Sequence, residues 1–272
     1  MWISCSPNDP VLIRRPFTDN EVEYQLLHRI CGSQDCSIRM RTEKGDAVFA
    51  QTARQHAWLW VSEEATLEQK QSLIMALCEL TSDKDIPGIS AHPEVAELFA
   101  QMYTDMVGGS YKLQMDLQSY ACEHVTAPAN VQGTMRRAAP EHVNTISGFV
   151  TDFIAEAMGT AVPRSDQVPF VERSIASGDM MVWTREEEPV AMARIAHRSP
   201  RHARINSVYT APEHRKKGYA SALVAELCDI VQQEKLIPIL YADMVNPDSN
   251  NVYRKIGFTE RGIIRELAFQ QS

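Results

Sequence analysis

Apolar positions recur at helical spacing in some stretches of this chain and alternate in others. Val22, Leu26, Leu27 and Ile30 fall on one face of a helix predicted over Asp19 to Ile30. Ala47 to Ala50 and Ala57 to Val61 read as short strands. In the second of these, Trp58 and Trp60 alternate with Leu59 and Val61, the pattern of a strand with one wet face. Thr66 is placed to cap a helix carrying Leu67, Leu73, Ile74, Leu77 and Leu80. Pro87-Gly88 reads as a break, and Glu94 to Val107 as a further helix stopped by Gly108-Gly109. Tyr111 to Gln118 alternates cleanly and predicts a half-buried strand.

Residues 124–133 mix Thr, Ala, Pro, Asn and Gly and read as a linker. Beyond it the order is clearer. Thr134 to Ala139 is a strand, and Pro140-Glu141 opens a helix with Val143, Ile146, Val150, Phe153, Ile154 and Ala157 on its apolar positions. A shorter helix spans Gln167 to Ala176. Met180 to Thr184, Val190 to Ala196 and Ala203 to Tyr209 are strands, the first two joined by the acidic turn at 186–189. A helix runs from Lys217 to Glu234, followed by a buried strand from Ile237 to Asp243 and a short helix from Ser249 to Ile256. Phe258 to Phe269 reads as a final pair of strands. The order β-α-α-β-β-β-α-β-α-β predicts an α/β fold on a mixed sheet. No internal repeat is visible in the sequence.

Composition narrows the function classes. The net charge is -8 over 272 residues, which argues against a broad basic face for nucleic acid. Residues 1–130 carry all of that charge and residues 131–272 sum to zero, which supports a domain boundary near 130. No apolar run approaches the ~18 residues of a membrane span, and the first residues lack the features of a signal peptide. The six cysteines form no CxxC pair and are expected as reduced thiols in a cytoplasmic protein. His197, His202 and His214 are not spaced as a metal site and read as solvated loop residues.

The segment Val208-Tyr209-Thr210-Ala211-Pro212-Glu213-His214-Arg215-Lys216-Lys217-Gly218-Tyr219-Ala220-Ser221 runs from a strand through a basic loop into a helix. Free amides at a helix start and the helix dipole favour an anion there. Gly218 admits close approach or positive φ, and Ala220 does not obstruct it. This arrangement fits a pyrophosphate seat and equally a solvated helix start; it is neither a P-loop nor a dinucleotide fingerprint. After the next strand come Asn246, at a strand's carboxyl end, and Tyr253, on a short helix closed by Gly257. Each also has an ordinary structural role, as a turn residue before Pro247 and as a half-buried tyrosine.

Taken together, Arg215-x-x-Gly218-x-Ala220 and Asn246-x-x-Ser249-x-x-Val252-Tyr253-x-x-x-Gly257-Phe258 resemble the R/Q-x-x-G-x-G/A loop and the N-x-x-A-x-x-L-Y-x-x-x-G-F ending of the GNAT superfamily of N-acetyltransferases. Ser249 and Val252 are mild departures. The resemblance covers about half the chain and implies a GNAT domain over 131–272. Residues 1–130 would be an N-terminal α/β domain, either a degenerate GNAT-like module or an unrelated domain that covers substrate. By resemblance, Arg215, Lys216, Lys217, Gly218, Tyr219, Ala220 and Ser221 would hold coenzyme A phosphates, the backbone of Val208, Tyr209 and Thr210 would pair with the pantetheine arm, and Asn246 would bond that arm. Tyr253 would be the general acid. The strand before the loop lacks the glutamate base of many members; Asp243 is a candidate base, with hydrogen bonding to a loop or turn capping as its alternative role, and a water relay from bulk is the other route for the proton. The implied activity is transfer of an acetyl group from acetyl-CoA to an amine of a small molecule or peptide, with no nucleic-acid or membrane partner. A non-catalytic acyl-CoA-binding sensor or interaction module that keeps the GNAT fold is the alternative.

Overall fold

A computed structural model describes residues 1–270. The first half runs β1 (Trp2–Ser4), α1 (Glu21–Tyr24), α2 (Leu26–Gly32), β2 (Cys36–Thr42), β3 (Ala47–Thr52), β4 (Ala57–Val61), α3 (Leu67–Thr81), β5 (Gly88–Ala91), α4 (Pro93–Val107) and β6 (Ser110–Ala121). The second runs β7 (Thr134–Arg137), α5 (Val143–Met158), α6 (Arg164–Ala176), β8 (Met180–Arg185), β9 (Glu188–Arg198), β10 (His202–Thr210), α7 (Tyr219–Gln233), β11 (Ile237–Asp243), α8 (Pro247–Ile256) and β12 (Thr259–Gln270). The two halves repeat the same order, β-α-α-β-β-β-α-β-α-β, although no repeat shows in their residues.

Packing divides the chain into two units. The first takes Met1–Tyr120 together with Tyr241–Pro247 and the residues from Glu260 onward; the second takes Ala121–Leu240 and Asp248–Thr259. The cut falls ten residues before the expected 130, and two segments of the 131–272 region pack with the first unit. In the first unit the strands lie in the order β1-β2-β3-β4-β5-β12-β6, with β12 antiparallel to β5 (Leu267 opposite Ile89) and β4 parallel to β5. In the second the order is β11-β10-β9-β8-β7, antiparallel except for the β10–β11 pair.

Thr66 does cap α3: its hydroxyl accepts the Gln69 amide at 3.3 Å while the Gln69 side chain accepts the Thr66 amide at 2.9 Å. α3 and α4 bury Ile74, Leu77, Val95 and Phe99 against Phe49, Leu59 and Leu267. A second cluster gathers Phe17, Leu27, Trp58, Trp60 and Ile264. In the second unit Ile146, Val150 and Val171 from α5 and α6 pack on Met180, Val182 and Met192.

Five expectations change. The helix over 19–30 is split at Gln25, where the Val22 carbonyl accepts the Tyr241 hydroxyl at 3.0 Å, an acceptor that a continuous helix gives to residue 26. β4 has no wet face, because all five of its residues are buried. β6 is exposed at its start and buried over its last four residues, where the alternation predicted one face throughout. The final segment is the single strand β12. The 124–133 linker is pinned within the second unit, with the Thr126 amide on the Ile256 carbonyl (2.7 Å) and Trp183 Nε1 on the Gln132 carbonyl (3.0 Å).

Candidate active site

β10 pairs with β9 as Asn206 opposite Arg194 and then Tyr209 opposite Met192. Two residues of β10, Ser207 and Val208, thus face one of β9. This is a β-bulge, and Ser207 sits at φ +54° with its amide held by Asn206 Oδ1 at 2.7 Å. A bulge takes backbone groups out of the ladder and turns them toward other partners. Val208 and Thr210 are half-buried and Tyr209 is buried.

The Ala211 amide bonds the Val190 carbonyl at 3.1 Å, a 3₁₀ turn covers Pro212–His214, and the chain enters α7 through Lys216 (φ +62°) and Gly218 (φ +84°). Gly218 is the N-cap and supplies no side chain. Ala222 is the first amide to find a helical acceptor, the Gly218 carbonyl at 3.0 Å. Tyr219, Ala220 and Ser221 therefore present the first-turn amides that a helix leaves without an internal acceptor, at the positive end of its dipole. A Cβ on Gly218 would lie 3.1 Å from Val131 Cγ2, in a backbone region costly for other residues. Such an entry fits a pyrophosphate, which needs convergent amides and no side chain in front of them.

The loop's three basic residues differ. Lys216 and Lys217 are exposed, and Lys217 Nζ donates to the Glu213 carbonyl at 3.0 Å. Arg215 instead turns to α5, giving one nitrogen to both Glu156 oxygens at 2.7 and 2.8 Å and Nε to the Thr210 carbonyl at 3.0 Å. Its guanidinium lies 5.4 Å from the Tyr209 ring centre. The Tyr209 hydroxyl reaches Asp152 at 3.5 Å. Burial, with Glu156 and Asp152 adding repulsion, pushes this phenol up to about 12. An open groove of about 700 Å³ borders the loop, lined by Asn130, Gln132, Arg185, His214, Lys217 and Tyr219 among others.

Tyr253 lies on α8 in the second unit, 7% exposed, its ring edge-on to Phe258 at 5.9 Å. Gly257 ends α8 at φ +109°, and a Cβ there would strike the His124 carbonyl. Asp243 and Asn246 pack with the first unit. Asp243 Oδ1 accepts the Val245 amide at 3.0 Å, the turn-capping role, and its carbonyl accepts the Asn246 amide at 3.1 Å. Asn246 itself is exposed. His202 is not a solvated loop residue: it begins β10 and is 6% exposed. Among the described residues no group of three or more His, Cys, Asp and Glu is arranged to hold a metal, and no helix is long and apolar enough to cross a membrane. Sequence reasoning missed Asp152 and Glu156. Their i, i+4 spacing on α5 was the available signal.

The Acetyltransferase (GNAT) family model matches residues 150–258, which hold the bulged strand, the loop and α8. The match spans 109 of the chain's 272 residues, all in its C-terminal half. Solved structures agree in fold. A GCN5-related N-acetyltransferase from Sphaerobacter thermophilus is similar over 100% of this chain and 96% of its own, at 14% identity and TM-score 0.64. One from Kribbella flavida is similar over 93% and 95%, at 13% identity and TM-score 0.60. A GNAT-family acetyltransferase from Colwellia psychrerythraea is similar over 86% and 85%, at 14% identity and TM-score 0.58. At these identities the likeness concerns fold alone. No curated protein matches the chain in sequence. The GNAT fold occupies the C-terminal part of a chain built on mixed α/β sheet, as expected.

Proposed function

We propose that the protein is an acetyl-CoA-dependent N-acetyltransferase acting on an amine of a small molecule or peptide, in the cytoplasm. The observation that carries this is the entry to α7: a helix start with no side-chain cap, opened by a left-handed glycine directly after a bulged strand. Acetyl-CoA would supply an acyl group activated as a thioester. The amides of Lys217 to Ser221 would hold its pyrophosphate, with Lys216 and Lys217 adding charge and Arg215 shaping the loop. Backbone groups of Val208, Tyr209 and Thr210 would bind the pantetheine arm as a strand does, one N–H polarising the acyl carbonyl, with Asn246 as a further partner. Tyr253 Oη would donate its proton to the departing sulfur. A thiol pKa near ~8.5 makes that sulfur a fair leaving group, so one weak acid suffices. Asp243 is the proposed base toward the attacking amine, directly or through water.

One observation favours a second reading, a non-catalytic acyl-CoA sensor: β10 carries no carboxylate, and an oxygen of Asp243 is already engaged by the Val245 amide. Release of free coenzyme A thiol from acetyl-CoA across a panel of amines separates the two. An enzyme gives amine-dependent release with at least one member of the panel, whereas a sensor binds acetyl-CoA and releases none. For the N-terminal half we propose a degenerate GNAT-like module, supported by its identical element order.

A further inference from the structure

Arg215 is the charged residue of the loop motif, and the simplest role for it is to pair with a coenzyme phosphate. Its contacts argue otherwise. The guanidinium is anchored to the carbonyl that ends β10, to both oxygens of Glu156 and against the Tyr209 ring. Four residues earlier on α5, Asp152 meets the Tyr209 hydroxyl. The strand end at 209–210 and the loop start at 215 are thus held to one face of one helix. Only Lys216, Lys217 and Gly218 lie between Arg215 and the first-turn amides of Tyr219 to Ser221, so fixing Arg215 fixes the path along which those amides are aimed.

We propose that Arg215, clamped by Glu156, is a positioning residue for the pyrophosphate loop and does not itself ligate phosphate. The inference rests on the coenzyme reading above and adds Glu156 to the residues that matter for it. A planar guanidinium suits the task, since it bridges a carbonyl and a carboxylate in fixed directions that an ammonium does not reproduce. Both side chains are substantially exposed, at 41% and 50%, and exposed ion pairs contribute little to global stability. Variants at either position are therefore expected to stay folded, with the effect confined to the loop.

The two roles predict opposite signs for Glu156→Gln. If Arg215 ligated phosphate, Glu156 would compete with it and repel the anionic ligand, so its neutralisation would tighten binding. If Glu156 holds the loop in shape, the same change weakens binding. The experiment is calorimetry of coenzyme A on the full chain for the parent, Glu156→Gln, Arg215→Ala, Arg215→Lys and the double variant Glu156→Gln/Arg215→Ala, with thermal melts as the fold control. Each single variant is expected to lose about five- to tenfold in affinity at an unchanged melting temperature, and the double variant no more than either single, the non-additivity of a shared interaction. Arg215→Lys is expected not to restore binding. Coenzyme A bound by Glu156→Gln as tightly as by the parent, or more tightly, would overturn the inference, as would additive losses in the double variant. A parent that fails to bind coenzyme A defeats the coenzyme reading itself, a distinct outcome.

Discussion

Tyr253→Phe keeps the ring that packs on Phe258 and removes only the hydroxyl. If Tyr253 is the general acid, coenzyme binding should hold while the rate of chemistry falls by ~10²–10⁴. The loss should shrink with a thioester whose thiol has a lower pKa. Unchanged kcat in a folded variant, with chemistry rate-limiting, would return Tyr253 to a packing role. A second residue to test is Glu23. Burial raises its carboxyl to about 7; Glu63 pushes the same way, and the residue's own amide and Arg261 oppose. The carboxyl lies where a Cβ on Gly262 would be, 2.6 Å from Oε1. Because the folded pKa exceeds the unfolded one, the folded state holds this proton more tightly, and stability falls as pH rises from about 4.5 through about 7. Glu23→Gln should match the parent near pH 4.5 and exceed it by up to about 3 kcal/mol at pH 8. Urea midpoints at the two pH values check this, and an equal offset at both would refute it. At this scale Gly218 and Tyr253 stood out in the sequence because each belongs to a motif with fixed local spacing. Glu156 did not, since its partner lies 59 residues away and only the fold brings them together.

The contrast between α3 and α7 is the clearest lesson among the elements. Each follows the fourth strand of its half. α3 is closed by Thr66 and Gln69 and preceded by Glu63 and Glu64, whereas α7 is left open by Gly218. Only the second is suited to an anion. Titration of the full chain is therefore expected to give one coenzyme A per chain, and none in a folded Gly218→Val variant; a stoichiometry near two would refute this. Both helix starts were legible because caps are chemically explicit. β1, β2 and β5 were not: β1 and β5 are three and four residues long, and Pro87-Gly88, read as a break, leads directly into β5. The Trp58–Val61 alternation misled because an amphipathic pattern does not report whether the second face is also covered. Here it is, by Phe17 and Tyr24 against Trp60 and Trp58.

Across the whole molecule, the duplicated order of elements was hidden because three of the six strands of the first half, β1, β2 and β5, are not legible in the sequence. The charge step near 130 lies ten residues past the division between the two units at Tyr120, and charge says nothing about where a returning strand packs. β12 contributes Ile264 and Leu267, 0% and 1% exposed, to the two clusters of the first unit. Each is worth about 1.5–3 kcal/mol by burial, against a typical total stability of 5–15 kcal/mol. A chain ended after Thr259 should therefore lose the ordered core around Trp58 and Trp60. Near-UV circular dichroism and tryptophan fluorescence would show it, and a parent-like spectrum would sink the expectation.

That placement of β12 also sets an order in time. Synthesis delivers Met1–Tyr120 before β7 to α8, but the sheet they begin has β12 between β5 and β6, and β12 is made only after α8. Until it arrives, β5 keeps a bare edge of unpaired amides and carbonyls, the kind of surface to which stray strands add. The half of the chain made first is thus the half finished last, and it is most open to mispairing while the rest is still being translated.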